Sequence, residues 1–234
     1  MSFPNRKILA GLTLIVTVLI IAALIFHQPL LRMVANTLIV DEPTEGYGHL
    51  VIFDGDHRHA IAGELFRSGK IEHVLMFEGK KKRLIEYGIL PPRHEIARRQ
   101  LEQAGIPADA ISLVEGETQS IWQVAERLDS WLRTHKTVRV TVFSERFSSG
   151  DVRQVLDTTL SAESAARVRV RALPDRRYDE TNWWRSRRGI KSFGNASMVH
   201  VYRWINGRPK FPFKDTWDPD EYQAQLAALR KTEP

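Results

Sequence analysis

His49–Phe77 reads HLVIFDGDHRHAIAGELFRSGKIEHVLMF, and it holds the pattern that decides the fold. His49–Phe53 (HLVIF) is a short apolar run of strand length. Arg58–Arg67 (RHAIAGELFR) then shifts to helical spacing, with Ile61, Leu65 and Phe66 on the inward side, and Gly69 follows where a helix needs a left-handed residue to stop. His73–Phe77 (HVLMF) is a second apolar strand. A strand, a helix and a strand in this order make a crossover, and a crossover of this length returns the second strand parallel to the first.

The same alternation continues toward the C-terminus. Arg93–Ala104 reads as a helix closed by Gly105, and Ile111–Val114 as a third strand. Ser120–Arg133 is a long amphipathic helix carrying Ile121, Val124, Ala125, Leu128 and Leu132 on one face. Val138–Phe143 is a fourth strand and Asp151–Leu160 a helix. Val168–Leu173 is a fifth strand whose apolar residues alternate with arginine, as at a sheet edge. The expected architecture is an α/β three-layer sandwich with a mainly parallel, Rossmann-like sheet of about five strands and helices on both faces. A further helix is expected over Ser192–Trp204, followed by a polar tail with a short amphipathic segment, Asp220–Arg230.

Before this unit, Ile8–Phe26 (ILAGLTLIVTVLIIAALIF) runs nineteen residues without a charge, enough to cross a bilayer core of about 30 Å. Arg6 and Lys7 precede it, and the acidic stretch DEPTEGYG begins at Asp41, so the charge bias puts the globular part outside the cytoplasm. A cleaved signal usually has a shorter apolar core and a small-x-small site, which His27–Arg32 does not offer. The expected organisation is a short cytoplasmic N-terminus (1–7), a transmembrane helix (8–26), a linker (27–48), an α/β domain (49–206) and a C-terminal tail (207–234). This corresponds to a single-pass protein of a bacterial inner membrane with its C-terminal domain extracytoplasmic.

The chain has no cysteine, which excludes disulfides and thiolate chemistry. Its net charge is +6, with basic clusters at Lys80–Arg83, Arg176–Arg177 and Arg185–Arg188. Anionic lipid and phosphorylated or carboxylated ligands fit that charge better than nucleic acid, for which no recognition motif is visible.

In an open parallel sheet, ligands sit beyond the carboxyl ends of the strands. The segments expected there are Asp54–Arg58, Glu78–Lys80, Glu115–Thr118, Ser144–Arg146 and Pro174–Arg176. None is a G-x-G-x-x-G turn, and Gly79-Lys80 lacks the remainder of a P-loop. Asp54, Asp56, His57 and His59 are ligand types for a cation, but solvated loop charge is the ordinary reading and no metal or cofactor is expected. Ser144 has no G-x-S-x-G elbow around it and no histidine after it until His200, so it is read as a ligand or capping hydroxyl before a nucleophile.

From His49 to Trp204 the order of motifs resembles the YdcF-like, SanA-like and ElyC-like envelope proteins, a bacterial family of unknown function. The matching residues are Asp54-Gly55, Arg58 leading into Ala62–Gly69, Glu78-Gly79, Glu95, and Gly105-Ile106-Pro107 with the run to Glu115. The later stretch PDRRYDETNWWRSRRGIKSFGNASMVHVYRW (Pro174–Trp204) is similar to a sub-branch with paired tryptophans. Relatives usually carry a histidine and basic residues after the fourth strand. Here the histidine position falls on Ser148, and the basic pair becomes Gly150-Asp151.

The resemblance implies a pocket in which Asp54, Gly55, Arg58, Glu78, Gly79, Thr118, Arg146, Trp183 and Trp184 bind ligand. It implies Glu95, Glu115 and Ser144 as the catalytic candidates. For Trp183 and Trp184, packing of the last helix is an equal alternative. Two functions follow. One is a binding or assembly protein of surface-polysaccharide biogenesis that takes an anionic envelope precursor, a glycan or a protein partner. The other is an envelope hydrolase or transferase acting on phosphate- or carboxylate-bearing glycan or lipid-linked precursors. An enzyme requires Arg58, Glu95, Glu115 and Ser144 to converge on one cleft.

Overall fold

The computed structural model describes residues 6–52, 56–79, 85 and 87–207, with the side chains of the first helix described at 11–18 and from 26 onward. Asp54, Gly55, the lysine run from Lys80 and the segment Asp220–Arg230 lie outside these residues. The chain divides into two compact units, Met1–Ala196 and Ser197–Pro234.

The first unit is an α/β fold. Its strands are β1 (His49–Ile52), β2 (His73–Gly79), β3 (Ile111–Thr118), β4 (Val140–Glu145) and β5 (Val168–Leu173). Helix α1 is Arg6–Asn36, α2 Asp56–Arg67, α3 Arg93–Gln103, α4 Ile121–Thr134, α5 Ser149–Thr159 and α6 Ala162–Ala165. Helix α7, Arg187–Asn206, crosses into the second unit. All five strands run parallel in the order β3-β2-β1-β4-β5.

On one face Leu50, Ile52, Val74, Met76 and Phe143 pack with Ala62 of α2, Leu101 of α3 and Ile106. Helices α2 and α3 touch closely: a Cβ on Gly63 would sit 2.2 Å from the Ala104 carbonyl oxygen. Side chains alternate along a strand, so Val51, Leu75 and Val142, all buried, point to the other face. The order of connection reverses between β1 and β4. With right-handed crossovers, this carries α4 and α5, which pack on each other, to that second face.

Three strands run further than their apolar residues suggest. Glu78-Gly79, Glu115–Thr118 and Ser144-Glu145 are strand, where the sequence reads as loop. The reason is pairing that polar residues can make as well as apolar ones. Gly79 pairs with Thr118 across an irregularity in the register, and Thr118 Oγ1 donates to the Glu78 carbonyl at 2.8 Å. Helix α7 likewise begins at Arg187, ahead of the expected Ser192.

Helix α1 does not end with the apolar run. It continues through Pro29 to Asn36, so the first part of the expected linker is helical. Ala35 and Leu38 then pack in a cluster with Phe147, Trp183 and Ala196. Beyond this the chain forms a strap. Gly150 N donates to the Leu38 carbonyl at 3.0 Å, and Val40 N donates to Ser149 Oγ at 2.9 Å.

The strap also closes the free edge of β5. Glu42 N donates to the Val170 carbonyl at 2.9 Å, while the Glu42 and Asp41 carboxylates accept from Val170 N at 2.7 Å and Ala172 N at 3.2 Å. An edge strand with unpaired amides invites pairing with another chain, and these two side chains occupy them. Among the described residues no helix is long and apolar enough to cross a membrane.

Candidate functional site

β1 feeds α2 toward β2 and β4 feeds α5 toward β5, so the strands on either side of the β1–β4 boundary lead away from each other. A crevice opens at the carboxyl ends of the strands at such a point. Here it has a volume of about 370 Å³, and its polar lining comes from Arg58, Thr118, Gln119, Ser120, Ser144, Glu145 and Ser148. Ile121, Val124 and Val152 supply its apolar wall.

Each polar group is held by local structure. Arg58 lies in the first turn of α2, and its side chain is only 8% exposed. Its Nη2 donates to Glu145 Oε1 at 3.1 Å, and the Glu145 side chain is 57% exposed. Ser120 caps α4, its Oγ accepting from Gln123 N at 3.3 Å, while Gln123 Oε1 accepts from Gln119 N at 2.6 Å. This reciprocal arrangement resembles a capping box and fixes the turn that faces the crevice. Ser144 Oγ donates to the Glu145 carbonyl at 3.2 Å. Ser148 stands immediately before α5.

The first turns of α2, α4 and α5 therefore all border the crevice. Amides at helix starts carry positive partial charge and favour anions. Together with one buried guanidinium and the hydroxyls of Ser120 and Ser148, the arrangement can bind a small oxyanion by charge-assisted hydrogen bonds.

Of the sequence candidates, Arg58, Thr118 and Ser144 come together here. Glu95 and Glu115 do not: both are exposed, one in the first turn of α3 and the other on β3, and neither lines the crevice. Glu78 and Gly79 serve the β2–β3 pairing. Arg146 is engaged elsewhere. It pairs with Glu180 through two hydrogen bonds, one of them 2.8 Å from Nη2, and lies 4.0 Å from Asp41. These bonds raise the Arg146 pKa and lower that of Glu180.

Trp183 stacks on Phe193 at 3.8 Å and meets Phe147 and Trp184 edge to face. The pair thus packs against the end of α1, which is the packing alternative for these residues. Asp54 and Gly55 fall outside the described residues. Among the described residues the crevice lining contains no histidine, and no group of three or more His, Asp or Glu could hold a metal ion.

The lining also includes Gln119, Ser120, Glu145 and Ser148, which sequence reasoning did not assign to ligand. A Ser-x-x-Gln sequence ahead of an apolar helical run marks Ser120 as a cap, and with it the turn that borders the site. No local signal joins Glu145 to Arg58. No family model matches the chain, and no curated protein is significantly similar to it.

Proposed function

We propose that the chain is a membrane-anchored, extracytoplasmic binding protein of cell-envelope or surface-polysaccharide biogenesis. In this reading it is a diverged relative of the YdcF-like branch and holds a phosphate or carboxylate group in the crevice between β1 and β4. The observation that supports it best is the convergence of Arg58, Thr118, Ser120, Ser144 and Ser148 on one crevice, with Glu95 and Glu115 exposed outside it. Holding an anion needs the first set, whereas turnover by acid–base chemistry needs a carboxylate or imidazole poised to exchange a proton, and the carboxylate in the crevice lining, Glu145, is paired with Arg58.

The exposed Glu145 carboxylate is the internal counterion of Arg58. An incoming oxyanion replaces it at the guanidinium and gains the Ser120 and Ser148 hydroxyls and the first-turn amides of α4 as further donors. Anchoring rests on α1, whose described side chains Leu12, Leu14, Ile15, Val16, Val18 and Phe26 are all exposed apolar groups, with Arg6 and Lys7 at its start. A bilayer would bury that surface.

A thermal-shift screen of the full chain in detergent, against nucleotide sugars, polyprenyl phosphates and muropeptides, tests the binding reading. A ligand at about a hundredfold its Kd should raise Tm by roughly 5–10 °C, and Arg58→Ala should abolish the rise. No shift with any of them, or an equal shift in Arg58→Ala, refutes it. Resistance of the full chain to alkaline carbonate extraction from membranes tests the anchor.

A further inference from the structure

We infer that the C-terminal half of α7 is an interfacial element that lies on an anionic bilayer surface. In the second unit, Met198, Val201, Tyr202 and Ile205 recur at i, i+3, i+4 and i+7, which places them on one stripe of the helix. All four are exposed, between 51% and 67%, and Trp204 beside them is 81% exposed. His200 and Arg203 fall on the opposite side of the turn. This is an apolar face with an aromatic flank, the composition that settles at the boundary between headgroups and acyl chains.

Charge identifies the occupant. From Thr181 to Lys214 the chain has eight Lys and Arg residues and no Asp or Glu. The whole chain has a net charge of +6, so everything outside this segment sums to −2. Along the sequence, the positive charge of the protein is thus concentrated in the segment that contains the apolar stripe. A second copy docking symmetrically on the same face would bring two such segments together against their mutual repulsion. A surface of anionic headgroups receives both the cations and the apolar side chains. The inference is independent of the crevice, and it holds whether or not α1 spans the bilayer.

The chain has no cysteine of its own, so single cysteines can be labelled with an environment-sensitive fluorophore. The test uses the full-length Met198→Cys and Ile205→Cys variants, with Ser112→Cys on the exposed edge of β3 as reference. The vesicles are phosphatidylcholine alone, or phosphatidylcholine with about a third phosphatidylglycerol. The labels at 198 and 205 are expected to brighten several-fold in the anionic vesicles only and to be quenched by nitroxide-bearing lipid, while the label at 112 stays in water. Silence of the labels at 198 and 205 in anionic vesicles overturns the inference. Equal quenching in neutral vesicles overturns the assignment to anionic lipid. Shielding that rises with protein concentration in the absence of lipid assigns the stripe to contacts between copies and overturns it too.

Discussion

Gly150 marks the point where the strap crosses α5. A Cβ there would lie 2.7 Å from the Leu38 carbonyl oxygen, which is backbone and has nowhere to go. Gly150→Ala is therefore expected to lower the unfolding free energy by about 1–3 kcal/mol in urea denaturation, and an unchanged midpoint would mean that the strap is not held there.

His49 gives a pH prediction at the same scale. Burial lowers its pKa below 6.5, helped by stacked His73 at 4.9 Å and by His135, against the opposing pull of Glu72. Trp131 completes the surroundings of the ring. A depressed pKa means that the unfolded chain binds the proton more readily, so the neutral ring's contribution is intact above about pH 6.5 and is lost as pH falls through that value. Wild-type stability should drop between pH 7 and 5 by more than that of His49→Gln, measured by denaturant titration at both values. Parallel pH profiles would remove His49 from this account.

That Arg58 and Ser144 border the crevice was legible in the sequence, because Arg58 follows the apolar run of β1 and Ser144 stands near the end of β4, and parallel sheets open their crevices beyond the strand ends. The partnership of Arg146 with Glu180 was not, since it joins residues on separate loops that no local pattern relates.

At the scale of elements, apolar periodicity located all five strands, and the arginine alternation in Val168–Leu173 marked the edge that β5 occupies. What periodicity misses is polar pairing, which carries β2, β3 and β4 beyond the ends of their apolar runs. It also missed the strap, because Asp41 and Glu42 look like solvated linker charge until Val170 and Ala172 are seen to need acceptors. Arg153 holds Glu42 in place, 3.4 Å from Nη1 to Oε2. Replacing both carboxylates in Asp41→Ala/Glu42→Ala leaves two part-buried edge amides without acceptors. The expected cost is about 1–3 kcal/mol per amide, with faster aggregation on heating as β5 becomes available for pairing. Light scattering through a thermal ramp would show it, and a variant as stable and as clear as wild type would contradict the role given to the strap.

For the whole molecule, the sheet order sets the crevice and the strap ties its α5 wall to the end of α1. Ser148 and Ser149 are adjacent, one lining the crevice and the other accepting from Val40 N in the strap. Ligand occupancy should therefore stiffen the juncture between helix and domain. Hydrogen exchange at the Val40 and Gly150 amides is expected to slow when the crevice is filled, and exchange unchanged by a saturating ligand would separate the two.

The central claim is that Arg58 is an anion receptor with Glu145 as its internal competitor. Calorimetric titration with inorganic phosphate tests it most directly, comparing wild type, Arg58→Ala and Glu145→Gln. The account predicts binding that is lost in Arg58→Ala and tighter by about tenfold in Glu145→Gln, a difference of roughly 1.4 kcal/mol. Binding that survives in Arg58→Ala, or that weakens in Glu145→Gln, would contradict it.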